Sequence, residues 1–187
     1  MALAILIAVY VGVTIVANSL ATTLIELPLF GVAAIGTLFF GATFTLRDMV
    51  HQYAHIHKQG RKPVYLMIAA AAFVNAAIAI LTGGEQFEVR IVGASILAIL
   101  IAESVDTEVY QRLIKRNWYV RVLSSNALSA PLDSILFTLV AFYGVDYFPQ
   151  ELLIPVIIGD TVLKYAIGAL LATTKSVRDV IGKALAS

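Results

Sequence analysis

Apolar residues run along this chain in long blocks separated by short polar or turn-forming stretches, rather than alternating with polar ones. Six blocks approach the roughly 20 residues a helix needs to cross the hydrocarbon core of a bilayer. They are residues 2–23, 27–46, 63–82, 91–110, 122–144 and 152–173. Pro28, Gly60, Pro63, the pair Gly83 and Gly84, Asn117, Gly144 and Pro149 punctuate them. A transmembrane barrel would instead show alternating segments of about ten residues. The pattern predicts an all-α integral membrane protein, a single polytopic domain over residues 1–187 with six transmembrane helices and no linker.

Composition sharpens this picture. Of 187 residues 60% are hydrophobic and 13% charged, and the mean hydropathy is +0.89. A soluble domain of that composition would leave too much apolar surface in water. Cysteine is absent, which removes disulfide scaffolds, thiolate nucleophiles, iron–sulfur clusters and Cys-ligated zinc. The net charge of +1 argues against a nucleic-acid partner.

The distribution of charge sets an orientation, because Lys and Arg stay on the cytoplasmic side. Arg47, Lys58, Arg61 and Lys62 follow the second block, Arg112, Lys115, Arg116 and Arg121 follow the fourth, and Lys175, Arg178 and Lys183 follow the last. The opposite connections hold only Arg90, with Glu26, Glu85, Glu88, Asp146 and Glu151, while Lys164 lies inside the sixth block. Both termini are therefore expected in the cytoplasm. Ser19-Leu20-Ala21 resembles a signal-peptide cleavage site, but residues 1–46 contain no Lys or Arg, so the first block is expected to remain as a span.

Ionisable groups at membrane depth cost roughly 2.5–3.5 kcal/mol each on insertion scales, so each requires a reason. At a rise of 1.5 Å per residue, Glu103 lies about 14 Å and Asp106 about 9 Å in from Arg112, with Asp133 about 16 Å in from Val122 and Asp160 about 12 Å from the outer end of its block. Helical spacing groups Glu103, Asp106 and Tyr110 on one stripe and Asn126, Ser129 and Asp133 on another. Glu108 falls off its stripe and is expected at the interface beside Arg112. Asp160 and Lys164, four residues apart, are expected to pair within their own helix. Two readings fit the acids: polar glue between helices, with the carboxyls protonated, or a polar cavity for a substrate or protons. The second is favoured because a single intramembrane cation, Lys164, balances the acids poorly. Pro131 adds to it by freeing the carbonyl of Ala127. Asn75, about 18 Å into the third block, is a candidate for the same layer, and Asn18 sits nearer the outer face.

Other chemistry finds little support. His51, His55 and His57 have a spacing compatible with metal ligation but fall in a basic loop, where solvated side chains are expected and no metal is implied. Membrane di-iron enzymes, which need several histidine boxes, are excluded. No Gly-x-Ser-x-Gly and no P-loop are present. Ala4, Ala8 and Gly12, and likewise Gly168 and Ala172, form stripes of small residues, expected to serve internal packing or, for the first, a docking face for another subunit.

Three motifs together resemble a known family: Thr45-Leu46-Arg47-Asp48-Met49-Val50-His51; Ala94-Ser95 with Ala102-Glu103-Ser104-Val105-Asp106-Thr107-Glu108-Val109-Tyr110; and Ser125-Asn126 with Ser129, Asp133-Ser134, Phe137 and Ala141-Phe142. They are similar to the VUT family, queuosine-precursor transporters earlier labelled vitamin uptake transporters, over roughly residues 10–172. The resemblance implies a six-helix importer of the inner membrane, carrying 7-deazapurines such as 7-cyano-7-deazaguanine for tRNA modification. Where other members often carry an Asn-Glu-Val-Tyr-Gly-like sequence, this chain has His51-Gln52-Tyr53-Ala54.

The residue chemistry agrees with such cargo, since a carboxylate accepts adjacent N–H donors in a bidentate manner and a flat ring stacks on aromatics. The expected site comprises Glu103, Asp106 and Asp133 with Asn126, Ser129 and Asn75, and Phe137, Tyr110 or Phe73 for stacking. Asp160, Lys164, Arg47 and Asp48 are expected to form ion pairs or to couple transport to protons. The leading expectation is a secondary transporter or facilitator of a 7-deazapurine base, not an enzyme and without cofactor, embedded in lipid, with a homo-oligomer compatible with the sequence. Alternatives are a substrate-capture (S) subunit of an energy-coupling-factor transporter, working with an ATPase module, and a membrane-embedded enzyme or assembly factor.

Overall fold

The computed structural model describes residues 2–28, 30–82, 86–146 and 148–174. Gly83, Gly84, Glu85 and the tail bases Lys175, Arg178 and Lys183 lie outside them. Six long helices make up the described chain: α1 (Ala2–Ser19), α2 (Gly36–Ile56), α3 (Lys62–Leu81), α4 (Gln86–Arg112), α5 (Trp118–Phe142) and α6 (Leu153–Ala172). Between α1 and α2 lies a small antiparallel hairpin, β1 (Leu24–Leu27) and β2 (Gly31–Ala34), and a single 3-10 turn precedes α6.

Local chemistry explains most boundaries. The side chain of Asn117 accepts a hydrogen bond from the Val120 amide at 2.9 Å, capping α5. Pro63 occupies the first turn of α3, where its missing N–H costs nothing. Gly144, at φ +68°, turns the chain away after α5. Within α5, Pro131 is accommodated without a break, and Ala127 lies on the exposed face, away from the polar clusters. The expectation that a freed carbonyl there would line a cavity is corrected.

The second block is where sequence and structure part. Its helix was expected over residues 27–46, but residues 24–34 form the hairpin, with Leu24 opposite Ala34 and Leu27 opposite Gly31, and the helix instead runs on to Ile56. Leu-Ile-Glu-Leu and Gly-Val-Ala-Ala are short apolar runs that periodicity cannot distinguish from helix. Gly31, at φ +93°, takes a conformation that a side chain would strain, and the space beside it is filled by the Pro155 backbone. As a result Arg47, Asp48 and His51, expected at a loop, sit inside a helix and are buried.

α4 packs along α5, α2 is flanked by α1 and α6, and α3 closes against α4 and α1. Strand β2 lies on α6. One apolar core gathers Phe137, Phe142 and Phe148 with Ile91 and Val156, and a second holds Tyr10, Phe40, Met67, Ile68 and Ile99. Large apolar side chains also face outward, including Leu66, Phe73, Ile80, Ile154 and Leu170. Phe73, at 74% exposure, points away from the interior and is no stacking partner for an internal ligand. The chain is thus apolar outside and partly charged inside, the arrangement a bilayer favours. α1, α3, α5 and the segment from the 3-10 turn through α6 are long and apolar enough to cross a membrane. α2 and α4 carry the buried charges Arg47, Asp48, Glu103 and Asp106.

The hairpin seats tightly on α6: a Cβ on Gly159 would collide with the Val32 carbonyl. Gly159→Ala is therefore expected to destabilise the protein by about 2 kcal/mol. Gly12→Ala, where a Cβ meets nothing within 4 Å, is expected to leave it unchanged. Thermal unfolding of the two variants in detergent checks this, and equal melting would show that the hairpin is not seated as described.

Candidate functional site

Arg47 is the first element to place. It sits on α2 with no solvent exposure, and a buried guanidinium must find acceptors for its fork of donors. Nη1 donates to Glu103 Oε2 at 2.6 Å, and Nη2 lies 2.8 Å from Asp106 Oδ2. Nη2 also donates to Asn126 Oδ1 at 2.9 Å, and with Nε it reaches Asp48 Oδ1 at 3.1 and 3.2 Å. A second shell of donors holds the acids: Tyr10 donates to Glu103 Oε1 at 3.2 Å and Ser129 to Asp106 Oδ1 at 2.8 Å. Four helices, α1, α2, α4 and α5, meet in this cluster. Three carboxylates share one guanidinium, and Asp48 Oδ2 has no hydrogen-bond partner.

Beyond this cluster, toward the ends of α2 and α4, Tyr110 donates to Gln52 at 3.4 Å. The His51 ring stacks on Tyr110 with centroids 4.4 Å apart, and its Nε2 lies 3.0 Å from Gln111 Oε1. The Arg121 guanidinium also lies over the Tyr110 ring, 5.0 Å from its centroid. The expectation of three solvated histidines is thus corrected for His51, while His55 and His57 are exposed. Glu108 pairs with Arg61 from the α2–α3 connection rather than with Arg112.

A second polar cluster lies between α2, α5 and α6. Lys164 donates to Asp133 Oδ2 at 2.7 Å and to Ser134 at 3.1 Å. The expected pairing of Lys164 with Asp160 inside α6 is corrected, because the ammonium turns to α5 instead. It also lies 5.3 and 6.0 Å from the ring centroids of Phe40 and Phe137, where aromatic faces favour a cation. Asp160 Oδ1 accepts from the Thr37 hydroxyl at 2.7 Å and from the Ala34 amide at 3.1 Å. These two bonds join the end of the hairpin and the start of α2 to α6.

This second cluster borders a narrow cleft enclosing about 330 Å³ of space, part of it open to the outside. Ser95, Asp133, Phe137, Asp160 and Lys164 line it. Of the residues expected to bind substrate, Asp133 and Phe137 therefore face a cavity. Glu103, Asp106, Asn126 and Ser129 belong to the Arg47 cluster, and Tyr110 to the stack with His51. Asn75 joins α3 to α1, donating to Thr14 at 3.0 Å and accepting from Asn18 at 2.8 Å. Among the described residues no group of three or more His, Asp or Glu is placed to hold a metal ion.

Sequence reasoning missed Arg47 as the centre of a cluster, placed Ser95 in a family motif without giving it a role, and missed Tyr10 and Thr37 altogether. A signal for Arg47 did exist: Thr43, Arg47, Val50 and Ala54 follow helical spacing straight through the expected loop.

The family sequence model described as putative vitamin uptake transporter matches residues 34–175. No curated protein and no solved structure matches the chain.

Removing the centre of the first cluster leaves its carboxylates buried and uncompensated. Arg47→Met is expected to cost about 3–5 kcal/mol, and Arg47→Lys to recover little of it, because a point charge cannot span three acceptors. Glu103→Gln, which still accepts from Tyr10 and Arg47, is expected to cost less than half as much. Melting temperatures of the purified variants would contradict this if Arg47→Met unfolded with the wild type.

Proposed function

The chain belongs to the putative vitamin uptake transporter family, and from that membership we propose that it imports a 7-deazapurine base such as 7-cyano-7-deazaguanine, as a secondary transporter or facilitator. In this reading all six helices span the inner membrane of the cell, with both termini in the cytoplasm and the polar clusters at membrane depth.

The observation that carries it is the cleft lined by α1, α2, α4, α5 and α6. A buried ion pair, Asp133 with Lys164, borders it beside the ring of Phe137. Such a pair is costly inside a bilayer, and its place on a cavity wall gives it work to do. An aromatic ring favours stacking with a flat base, and carboxylates accept its N–H donors. The adjoining Arg47 cluster is the reading's coupling element: three carboxylates around one guanidinium leave an excess of negative charge that protons can neutralise. Glu103, Asp106 and Asp48 then serve proton binding, positioned by Asn126 and Ser129, next to a cleft in which Asp133 and Phe137 touch the cargo.

One observation favours a second reading, the capture subunit of an ATPase-driven importer. Ala4, Ala8 and Gly12 on α1 all face outward, leaving a stripe of small residues on which another helix can lie closely. The stripe at Gly168, by contrast, is used internally, with Asn126 against it.

Expression in a bacterial host unable to make or import 7-deazaguanine precursors separates these readings. With 7-cyano-7-deazaguanine supplied at low concentration, the wild type is expected to restore queuosine in tRNA, read by boronate-gel retardation. Asp133→Asn is expected to reduce the signal at least ten-fold. Restoration only on co-expression with an ATPase module would favour the capture subunit, and no restoration in either setting would reject both.

A further inference from the structure

Two residues that line the cleft each carry a polar atom without a hydrogen-bond partner. Ser95 Oγ and Asp160 Oδ2 are both buried, at 2% and 1% residue exposure, and neither is hydrogen-bonded. Buried polar atoms left unpaired each cost about 1–3 kcal/mol, so two on one small cavity point to something that completes them. The carboxylate of Asp160 is held for that purpose. Thr37 and Ala34 both donate to Oδ1, which fixes the group and leaves Oδ2 free.

The charges lining the cleft add a constraint. Asp133 and Asp160 oppose a single cation, Lys164, and Lys164 is already committed to Asp133 and Ser134. Arg47 does not line the cleft; its donors are spent on Asp48, Glu103 and Asn126, and its charge also pairs with Asp106. Among the described residues the cleft thus offers no unengaged cation to an acidic ligand, which would instead meet a surplus carboxylate.

Taking the cleft as the substrate site, we infer that Asp160 and Ser95 are its specificity-determining residues, and that they select a neutral ligand donating N–H to Asp160 while excluding carboxylate-bearing ones. This divides the vitamin-like compounds into two chemical classes. Uncharged lactams, amides and aminated heterocycles are accepted, and acids are refused. It also gives Asp160 a part beside that of Asp133: Asp160 selects the ligand through Oδ2, while Asp133 touches the cargo with its Oδ2 committed to the ammonium.

Asp160→Asn is a suitable probe because the amide oxygen can still accept from Thr37 and Ala34. Its NH₂ then replaces Oδ2 in the cleft, turning an acceptor into a donor. Ser95→Ala removes the other unpaired atom without changing charge. The full chain in lipid nanodiscs would be titrated with matched neutral and acidic compounds: 7-cyano-7-deazaguanine against 7-carboxy-7-deazaguanine, nicotinamide against nicotinate, and biotin amide against biotin. In any pair that binds, the neutral member is expected to bind at least ten-fold more tightly. Asp160→Asn is expected to weaken it about ten-fold or more, and Ser95→Ala several-fold. If only a pair other than the deazaguanines binds, with this preference and this loss, the proposed cargo is wrong and the assignment of Asp160 and Ser95 stands. An acid that binds as tightly as its neutral partner, an Asp160→Asn protein that binds like the wild type, or no binding by any neutral compound would overturn the assignment.

Discussion

A guanidinium without any contact with solvent governs this structure. Arg47 sits where neither water nor lipid headgroup reaches it, and a bare charge in such surroundings is untenable. Its donors therefore dictate what α1, α4 and α5 must bring. α4 supplies Glu103 and Asp106 one turn apart, α5 supplies Asn126 and Ser129 one turn apart, and α1 supplies the hydroxyl of Tyr10. Rotating any of these helices by a third of a turn would strip the cluster of an acceptor or of the donor behind it. The register of four helices is thereby tied to one side chain.

Charged registration of this kind matters more here than it would in water. Between helices surrounded by lipid, the burial of apolar side chains gains little, because lipid tails are as apolar as leucine. Close packing of small residues and polar contacts between helices must then supply specificity. Both are present: Gly41 and Gly168 bring α2 and α6 together, and Asn18, Asn75 and Thr14 join α1 to α3. The outward faces, with Leu66, Ile80 and Leu170, need only be apolar.

The parts of this arrangement legible in the sequence were those that depend on helical period. The stripes Glu103–Asp106–Tyr110 and Asn126–Ser129–Asp133 do face the interior, because spacing along a helix fixes direction regardless of neighbours. What failed depended on partners from distant segments. Arg47 was counted among the loop cations because an arginine after an apolar block ordinarily marks the membrane surface; only the acids of α4 make its burial tolerable. Lys164 was assigned to Asp160 because four residues separate them, whereas Asp133 on α5 lies in the better direction. The hairpin was illegible for a different reason, since four-residue apolar strands next to an apolar helix leave no periodic mark. Ser95 stood in a family motif, but its significance lies in an unmet hydrogen bond that only the packed bundle reveals.

The way Arg47 spans the molecule has a mechanical consequence. α2 scarcely meets α5 and α1 scarcely meets α4, so along that line the two sides of the bundle are joined less by interlocked backbones than by the tips of long side chains. Stiffness is consequently uneven. Resistance to sliding is high where α4 lies along α5, and low along the line that Arg47 crosses, where the restoring force is electrostatic and weakens when a carboxylate loses its charge. A material built in this way has a preferred direction of yielding, written into it by four acidic and basic side chains rather than by any flexible loop.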